Sequence, residues 1–167
     1  MPDSRDLPTN QRQPNSRSCF ACGLGNQSGL RLRFDITAPG EVTSIYSVPP
    51  QFQGFPGVVH GGIVAAMLDE VCFRAPMGVY PPRFMFTARL EVRYRKNAPL
   101  DTPLRIIGRV VKNKSHTVTS TGVIYSPEGE VLAQANALLV EAPLGALDEA
   151  DLDALGWKIY ADEEVTP

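Results

Sequence analysis

Asp69 and Glu70 are the only charged residues between Gly62 and Phe73, in a stretch that opens at Phe55 as a glycine-rich turn and continues as a helix with almost no polar side. A helix that is apolar all round belongs in a core, and a carboxylate there must be paired, neutralised or used, since its unpaired burial is costly. Glu70 has a partner in Arg74, four residues on, the spacing at which an acid N-terminal to a base forms a helix-face ion pair. Asp69 has none in the pattern: its helical neighbours Ala65, Ala66, Cys72 and Phe73 offer neither charge nor a strong hydrogen bond. An unpartnered carboxylate on a buried helix that begins with two glycines marks a candidate site, with Asp69 as general base or nucleophile.

The start of the helix supplies complementary chemistry. Backbone N–H groups of a first turn lack intrahelical partners, and the macrodipole favours negative charge there. The segment His60-Gly61-Gly62 therefore offers donors to a developing oxyanion, and glycine leaves that backbone open to close approach. His60 lies nine positions before Asp69, at the helix start rather than beside the acid. Its expected role is a hydrogen bond that fixes the loop; direct proton transfer is the alternative and requires reach.

The elements that must position these groups follow from periodicity. The helix is expected to end near Ala75, because Pro76 disfavours a helical conformation in the residue before it. Leu30 to Ile36 alternates Leu30, Leu32 and Phe34 against Arg31, Arg33 and Asp35, and Val42 to Val48 follows a turn at residues 38–41. Four further strand signals lie near residues 84–96, 104–112, 117–126 and 130–141, the last two joined at Ser126 to Gly129 by a segment with proline second and glycine fourth, as a tight turn wants. Along residues 86–94, Ala88, Leu90, Val92 and Tyr94 share one face and Thr87 falls on the other. Two strands, one long helix and four strands make an α+β chain with an antiparallel sheet of about six strands.

Composition bounds the function. The 167 residues are expected to form one domain, and 43% hydrophobic content suffices for its core. Residues 1–18, poor in large apolar groups, read as a flexible tail; residues 19–142 form the domain, and 143–167 an extension with a short helix near Leu147 to Leu155. A net charge of −2 gives no electrostatic case for a nucleic-acid partner, no apolar run reaches a membrane span, and the N-terminus lacks a signal-peptide stretch, so the expected location is the cytoplasm. Three cysteines suit a reducing compartment. Cys19 and Cys22 form a lone CxxC; a structural zinc needs four ligands, and Cys72 in the helix with the distant His60 and His116 do not supply them. No metal or cofactor is expected, and the pair reads as a turn packed by two reduced thiols.

The pattern His60-Gly61-Gly62, six residues, then Asp69 resembles the hotdog-fold thioesterases, acyl-CoA hydrolases related to the phenylacetate-pathway enzyme. Cys19 and Cys22-Gly23, then Asn26 and Gly29-Leu30, resemble the start of many small members, and the similarity runs from about Cys19 to Glu141. Gln27 departs from it, standing where proline is common. The resemblance implies a sheet wrapped around the helix, the Gly61 amide as oxyanion donor, Asp69 activating water, and a Thr87 hydroxyl placing the water or the acid. It also implies a homodimer, or a homotetramer built from it, with Gly61 and Asp69 of one site drawn from different protomers. Some members place an amide side chain before the His-Gly-Gly, for which Gln51 and Gln53 are the candidates here. Gly62, Gln53 and Phe55 then belong to the substrate side, and Arg93, Arg95 and Lys96, with Lys112 and Lys114, are expected to meet coenzyme A phosphates at the mouth of a pantetheine tunnel. Phe52, Phe55, Met67, Phe84 and Met85 either shape an acyl pocket or fill the core.

Two rivals remain. A hydratase or dehydratase of the same fold uses a loop histidine with a helix acid; Phe55-Pro56-Gly57 is similar to its loop, but no histidine precedes it. A non-catalytic acyl-CoA-binding module has no need of an unpaired Asp69.

Overall fold

Asn15, in the segment expected to be a flexible tail, is 2% exposed and ties three parts of the chain together, its side-chain amide donating to the Cys22 and Leu32 carbonyls at 2.7 Å each. The computed structural model describes residues 11–78, 83–142 and 148–162. Within these the expectation for residues 11–18 is corrected: Gln11–Arg12 form a short strand (β1), Gln13 and Ser16 are buried, and Pro14 accepts a hydrogen bond from Arg74. Polar composition misled because the amides and hydroxyls of this segment bond to buried backbone rather than to water. Residues 1–10 of the expected tail lie outside the described residues.

The other strands are Asp35–Ala38 (β2), Glu41–Ser47 (β3), Met85–Tyr94 (β4), Pro103–Asn113 (β5), Thr117–Tyr125 (β6) and Val131–Glu141 (β7). They form one antiparallel sheet in the order β1-β2-β3-β5-β6-β7-β4. Six expected strands are present, and β1 makes a seventh. The first is shorter than its alternation suggested: Leu30, Leu32 and Phe34 are buried, but Arg31 has φ 57°, and the Leu30 and Leu32 amides bond to Phe20 and Ala21 instead of to a neighbouring strand.

The helix Gly61–Arg74 (α1) crosses the sheet and ends near the expected position, but Ala75 before Pro76 keeps helical dihedrals (φ −59°, ψ −44°) and the chain continues as a 3-10 turn over Ala75–Gly78. The helix lies so close that glycine is required beneath it: a Cβ at Gly108 would stand 2.2 Å from the Val71 carbonyl oxygen, and one at Gly122, its partner across β5 and β6, 2.9 Å from Val71 Cγ1. Met67, Leu68, Val71 and Cys72 fill the core with Leu104, Ile106, Ile124 and Leu139. A short helix, Glu149–Ala154 (α2), is capped by Asp148, which accepts from the Asp151 amide at 2.8 Å. No helix of the described residues is long and apolar enough to cross a membrane.

β4 carries one irregularity that matters for the site. Its register against β7 shifts between Thr87 and Arg89, so Ala88 is the extra residue of a bulge. Beyond it Leu90 and Val92 still pack on the core. The bulge brings Thr87 to that same side, which corrects the expectation from strict alternation that placed it opposite.

Candidate active site

His60 caps α1. Its Nδ1 accepts a hydrogen bond from the Gly62 amide at 2.9 Å, which requires a neutral ring with the proton on Nε2. The loop-fixing bond expected of His60 is thus made within the cap, and it consumes the Gly62 N–H. The amides of Ile63 and Val64 go to the His60 carbonyl, while the Gly61 N–H has no hydrogen-bond partner among the described residues. Tyr94 holds this peptide from the strand side, its hydroxyl donating to the Gly61 carbonyl at 2.8 Å. Neither packing nor conformation demands glycine at position 61: its φ is not positive, and a Cβ there would meet the Tyr94 ring at an ordinary 3.7 Å. What the missing side chain leaves is an open backbone donor at a helix N-terminus. At Gly62, by contrast, a Cβ would press on His60 Nδ1 at 3.1 Å.

Gly61 faces a cleft of about 620 Å³ whose walls include His60, Val64, Tyr94, Arg95 and Lys96. Phe55, 81% exposed, forms part of its rim, and Gln53 sets the loop by accepting from the Gly57 amide at 3.1 Å. Of the expected phosphate-binding cations, Arg95 and Lys96 are on this cleft, with Lys96 ion-paired to Glu130. Arg93 is not: Val92 and Tyr94 face α1, so Arg93 between them points from the opposite face. Lys112 and Lys114 lie by the β5–β6 hairpin, which Arg83 ties to the start of β4, the far end of that strand from Arg95.

Asp69 is half-buried, and it has a partner that sequence spacing could not reveal. Thr87 Oγ1 donates to Asp69 Oδ1 at 2.8 Å, across from β4 to α1. This corrects the picture of a fully buried, unpaired acid: one carboxylate oxygen is held, in a position on the wall of a second cavity of about 440 Å³ that Phe73, Phe84 and Thr87 also line. Asp69 stands eight residues beyond Gly61, about 12 Å along the helix at 1.5 Å per residue, and the two face different cavities. Within one chain a single carbonyl cannot touch both. His60 of the same chain, farther still from the acid, is in no position to share a proton with it.

Of the residues expected to shape an acyl pocket or fill the core, Met67 is a core residue, and Met85, also buried, lines the Asp69 cavity as well. Phe52 packs on the core and meets Phe20 edge to face, whereas Phe84 lines the Asp69 cavity and meets Trp157 edge to face. Glu70 makes the expected ion pair, receiving Arg74 Nε at 2.8 Å, and Arg74, wholly buried, also lies against the rings of Phe34 and Trp157. Burial pushes the Glu70 carboxyl up to about 7 against the pull of Arg74. Cys19 and Cys22 sit beside it, all three ligand atoms within 4.8 Å of one another. Sequence reasoning assigned no role to Tyr94 and did not connect this cluster to Glu70. The inward register of Tyr94 was a usable signal; the proximity of the CxxC turn to the helix had none.

Comparison with known proteins places this geometry in context. Residues 56–133 match the family model described as the thioesterase superfamily. A rat protein described as acyl-coenzyme A thioesterase THEM4 is 30% identical over 120 residues, covering 71% of this chain and 50% of that protein. The chain spans about half the length of the curated relatives it matches. Among solved structures, a thioesterase superfamily protein superposes with a TM-score of 0.69 at 28% identity, over 75% of this chain and 61% of the other. A hypothetical thioesterase of Streptococcus pneumoniae, solved with coenzyme A, superposes with a TM-score of 0.58 at 21% identity, over 62% and 82%, a likeness of fold alone.

Proposed function

We propose that this chain, which has the hotdog thioesterase fold and matches the thioesterase superfamily model over residues 56–133, hydrolyses acyl-CoA or related pantetheine thioesters, with no metal or redox cofactor in the reaction. The observation that carries this reading is the division of labour along α1: a Gly61 N–H with no partner among the described residues on one cleft and a Thr87-held Asp69 on another, about 12 Å apart. Two copies of the chain, paired across β4, would let the Gly61 of one protomer face the Asp69 of the other. β4 ends the sheet with Phe86 half exposed, an edge suited to such pairing.

In this site the thioester carbonyl oxygen takes the Gly61 N–H. Asp69 removes a proton from water as the water attacks the carbonyl carbon, and the oxyanion that forms is stabilised by the amide and the helix dipole. Collapse of the intermediate breaks the carbon–sulfur bond, and the proton on Asp69 passes to the departing thiolate. Thr87 holds one oxygen of the carboxylate so that the other faces the water. Arg95 and Lys96 at the mouth of the Gly61 cleft suit the phosphates of coenzyme A. A homodimer is the minimum assembly that completes the site, and a homotetramer would contain it twice.

The test is release of free thiol from a panel of acyl-CoA thioesters by the parent, Asp69→Asn and Glu70→Gln. Asp69→Asn is expected to lose at least a hundredfold in turnover, within the usual range for a general base, and Glu70→Gln much less. Equal, near-parental turnover by both variants would overturn the role of Asp69. Hydration of an enoyl thioester without thiol release would favour the hydratase, and tight binding without turnover the binding module. The location proposed with this activity is the cytoplasm; a Candida albicans relative is described as mitochondrial, and cell fractionation distinguishes the two.

A further inference from the structure

Beside the proposed active site, where Cys19 and Glu70 share a wall of the Asp69 cavity, Cys19, Cys22 and Glu70 form a second reactive group. The two thiols and a Glu70 carboxylate oxygen lie within 4.8 Å of one another. Cys19 is exposed, Cys22 is 3% exposed, and both line a mostly apolar cavity of about 390 Å³ with Phe73, Phe84 and Trp157. The turn that carries them is fixed: Ser16 Oγ accepts from the Cys19 amide at 3.2 Å and contacts Cys22 Sγ at 3.7 Å, and the Gly23 amide bonds to the Cys19 carbonyl at 2.8 Å. We infer that Cys19 and Cys22 are a dithiol site that exchanges with low-molecular-weight disulfides, Cys19 attacking first, Cys22 resolving, and Glu70 accepting the Cys22 proton.

The environment orders the two steps. The neighbouring Cys22 thiol lowers Cys19 to about 6, against the effect of burial, and Cys19 is also the exposed one of the two, which favours it as the attacking thiolate. In the free dithiol the same contact, followed by burial, raises Cys22 to about 12, so Cys22 is the thiol that keeps its proton. Glu70, whose carboxylate oxygen lies within 4.8 Å of both sulfurs and which burial pushes up to about 7, is placed to take that proton in the second step. The Cys19 thiolate attacks one sulfur of the small disulfide, forming a mixed disulfide and expelling one thiolate. Cys22 then gives its proton to Glu70 and attacks the Cys19 sulfur, which breaks the mixed disulfide and expels the second thiolate. In sum, one small disulfide is reduced to two thiols and the protein dithiol is oxidised to a Cys19–Cys22 disulfide. Cys72 stands apart, buried in the core, its thiol raised to about 12 by burial.

The probe is oxidised glutathione, added to the reductant-free full-length chain and followed by intact mass and peptide mapping. The parent is expected to lose two hydrogens and give a cross-linked peptide containing Cys19 and Cys22, with no lasting adduct. Cys22→Ser is expected to accumulate one glutathione on Cys19, Cys19→Ser none, and Cys72→Ser to behave as the parent. Glu70→Gln is expected to slow the second step by on the order of a hundredfold, so that the mixed disulfide becomes visible while Cys22 is still present. Because the parent reports the disulfide directly, a variant that fails to fold does not disable the test. The inference is overturned if the parent keeps all its thiols, if the adduct forms on Cys72, or if the purified chain holds stoichiometric zinc and oxidises only after chelation, which would make the same three groups a metal site.

Discussion

Replacing Thr87 with valine removes one hydroxyl and nothing else of consequence, since the two side chains are nearly the same shape. The hydroxyl donates to Asp69 Oδ1 at 2.8 Å. A hydrogen bond to a charged group contributes about 1.5–3 kcal/mol net, and Thr87 is exposed in the single chain, which argues for the lower end. If the bond fixes the orientation in which Asp69 meets water, about 1.5 kcal/mol corresponds to roughly a tenfold loss in turnover. The loss should appear in kcat, with KM little changed, because the carboxylate does not bind the acyl group. Thiol release measured over a range of substrate concentrations separates the two, and thermal unfolding checks that the fold is intact. Thr87→Ser restores the donor and should recover most of the rate. Turnover of the valine variant within twofold of the parent, or a serine variant as slow as valine, would refute the positioning role.

Other expected outcomes test the assembly and the fold. Mixed dimers of Gly61→Pro and Asp69→Ala chains, isolated with two tags, should regain roughly half the parental activity from two nearly inactive parents, since one site in each would be complete; folded mixed dimers as inactive as their parents would place both groups within one chain. Asn15→Ala should lower the unfolding free energy by about 2–4 kcal/mol, because two buried carbonyls lose their donor; denaturant unfolding followed through the single Trp157 reads this out, and a change below 0.5 kcal/mol contradicts the anchoring of that segment. Glu70 gives a pH signature: its carboxyl is raised from 4.5 to about 7 by burial, so its favourable contribution is complete below about pH 4.5 and is lost as pH rises through 7. Relative to Glu70→Gln, the parent should lose up to about 3 kcal/mol between pH 4.5 and 8, and a pH-independent difference would show that Glu70 titrates normally.

The elements of this fold were legible wherever one periodicity ruled. The apolar run of α1, its stop before Pro76, and the alternations of β3 and β5 to β7 are local patterns that the core rewards. The Glu70–Arg74 pair was legible for the same reason, being a helix-face spacing. What escaped were contacts set by position in space. Thr87 reaches Asp69 through a bulge that no composition rule marks, and Tyr94 reaches Gly61 because β4 runs beside the helix. The N-terminal segment escaped because Gln13, Asn15 and Ser16 are the residue types of a solvated tail; only their partners, Arg74, Cys22 and Leu32, turn them into interior residues.

The bulge at Ala88 has a consequence for how this strand can change. Before it, the residues that look toward α1 carry odd numbers, Met85 and Thr87; after it they carry even ones, Leu90, Val92 and Tyr94. The strand is therefore written in two reading frames spliced at one residue, and the carboxylate holder and the peptide holder stand in different frames. Removing the splice would leave a strand still able to pair with β7, yet only one holder would keep its aim while the other turned to solvent. Substitutions can drift along β4, but a change of length within it cannot, and a graft of this site onto another scaffold must copy the interruption along with the side chains.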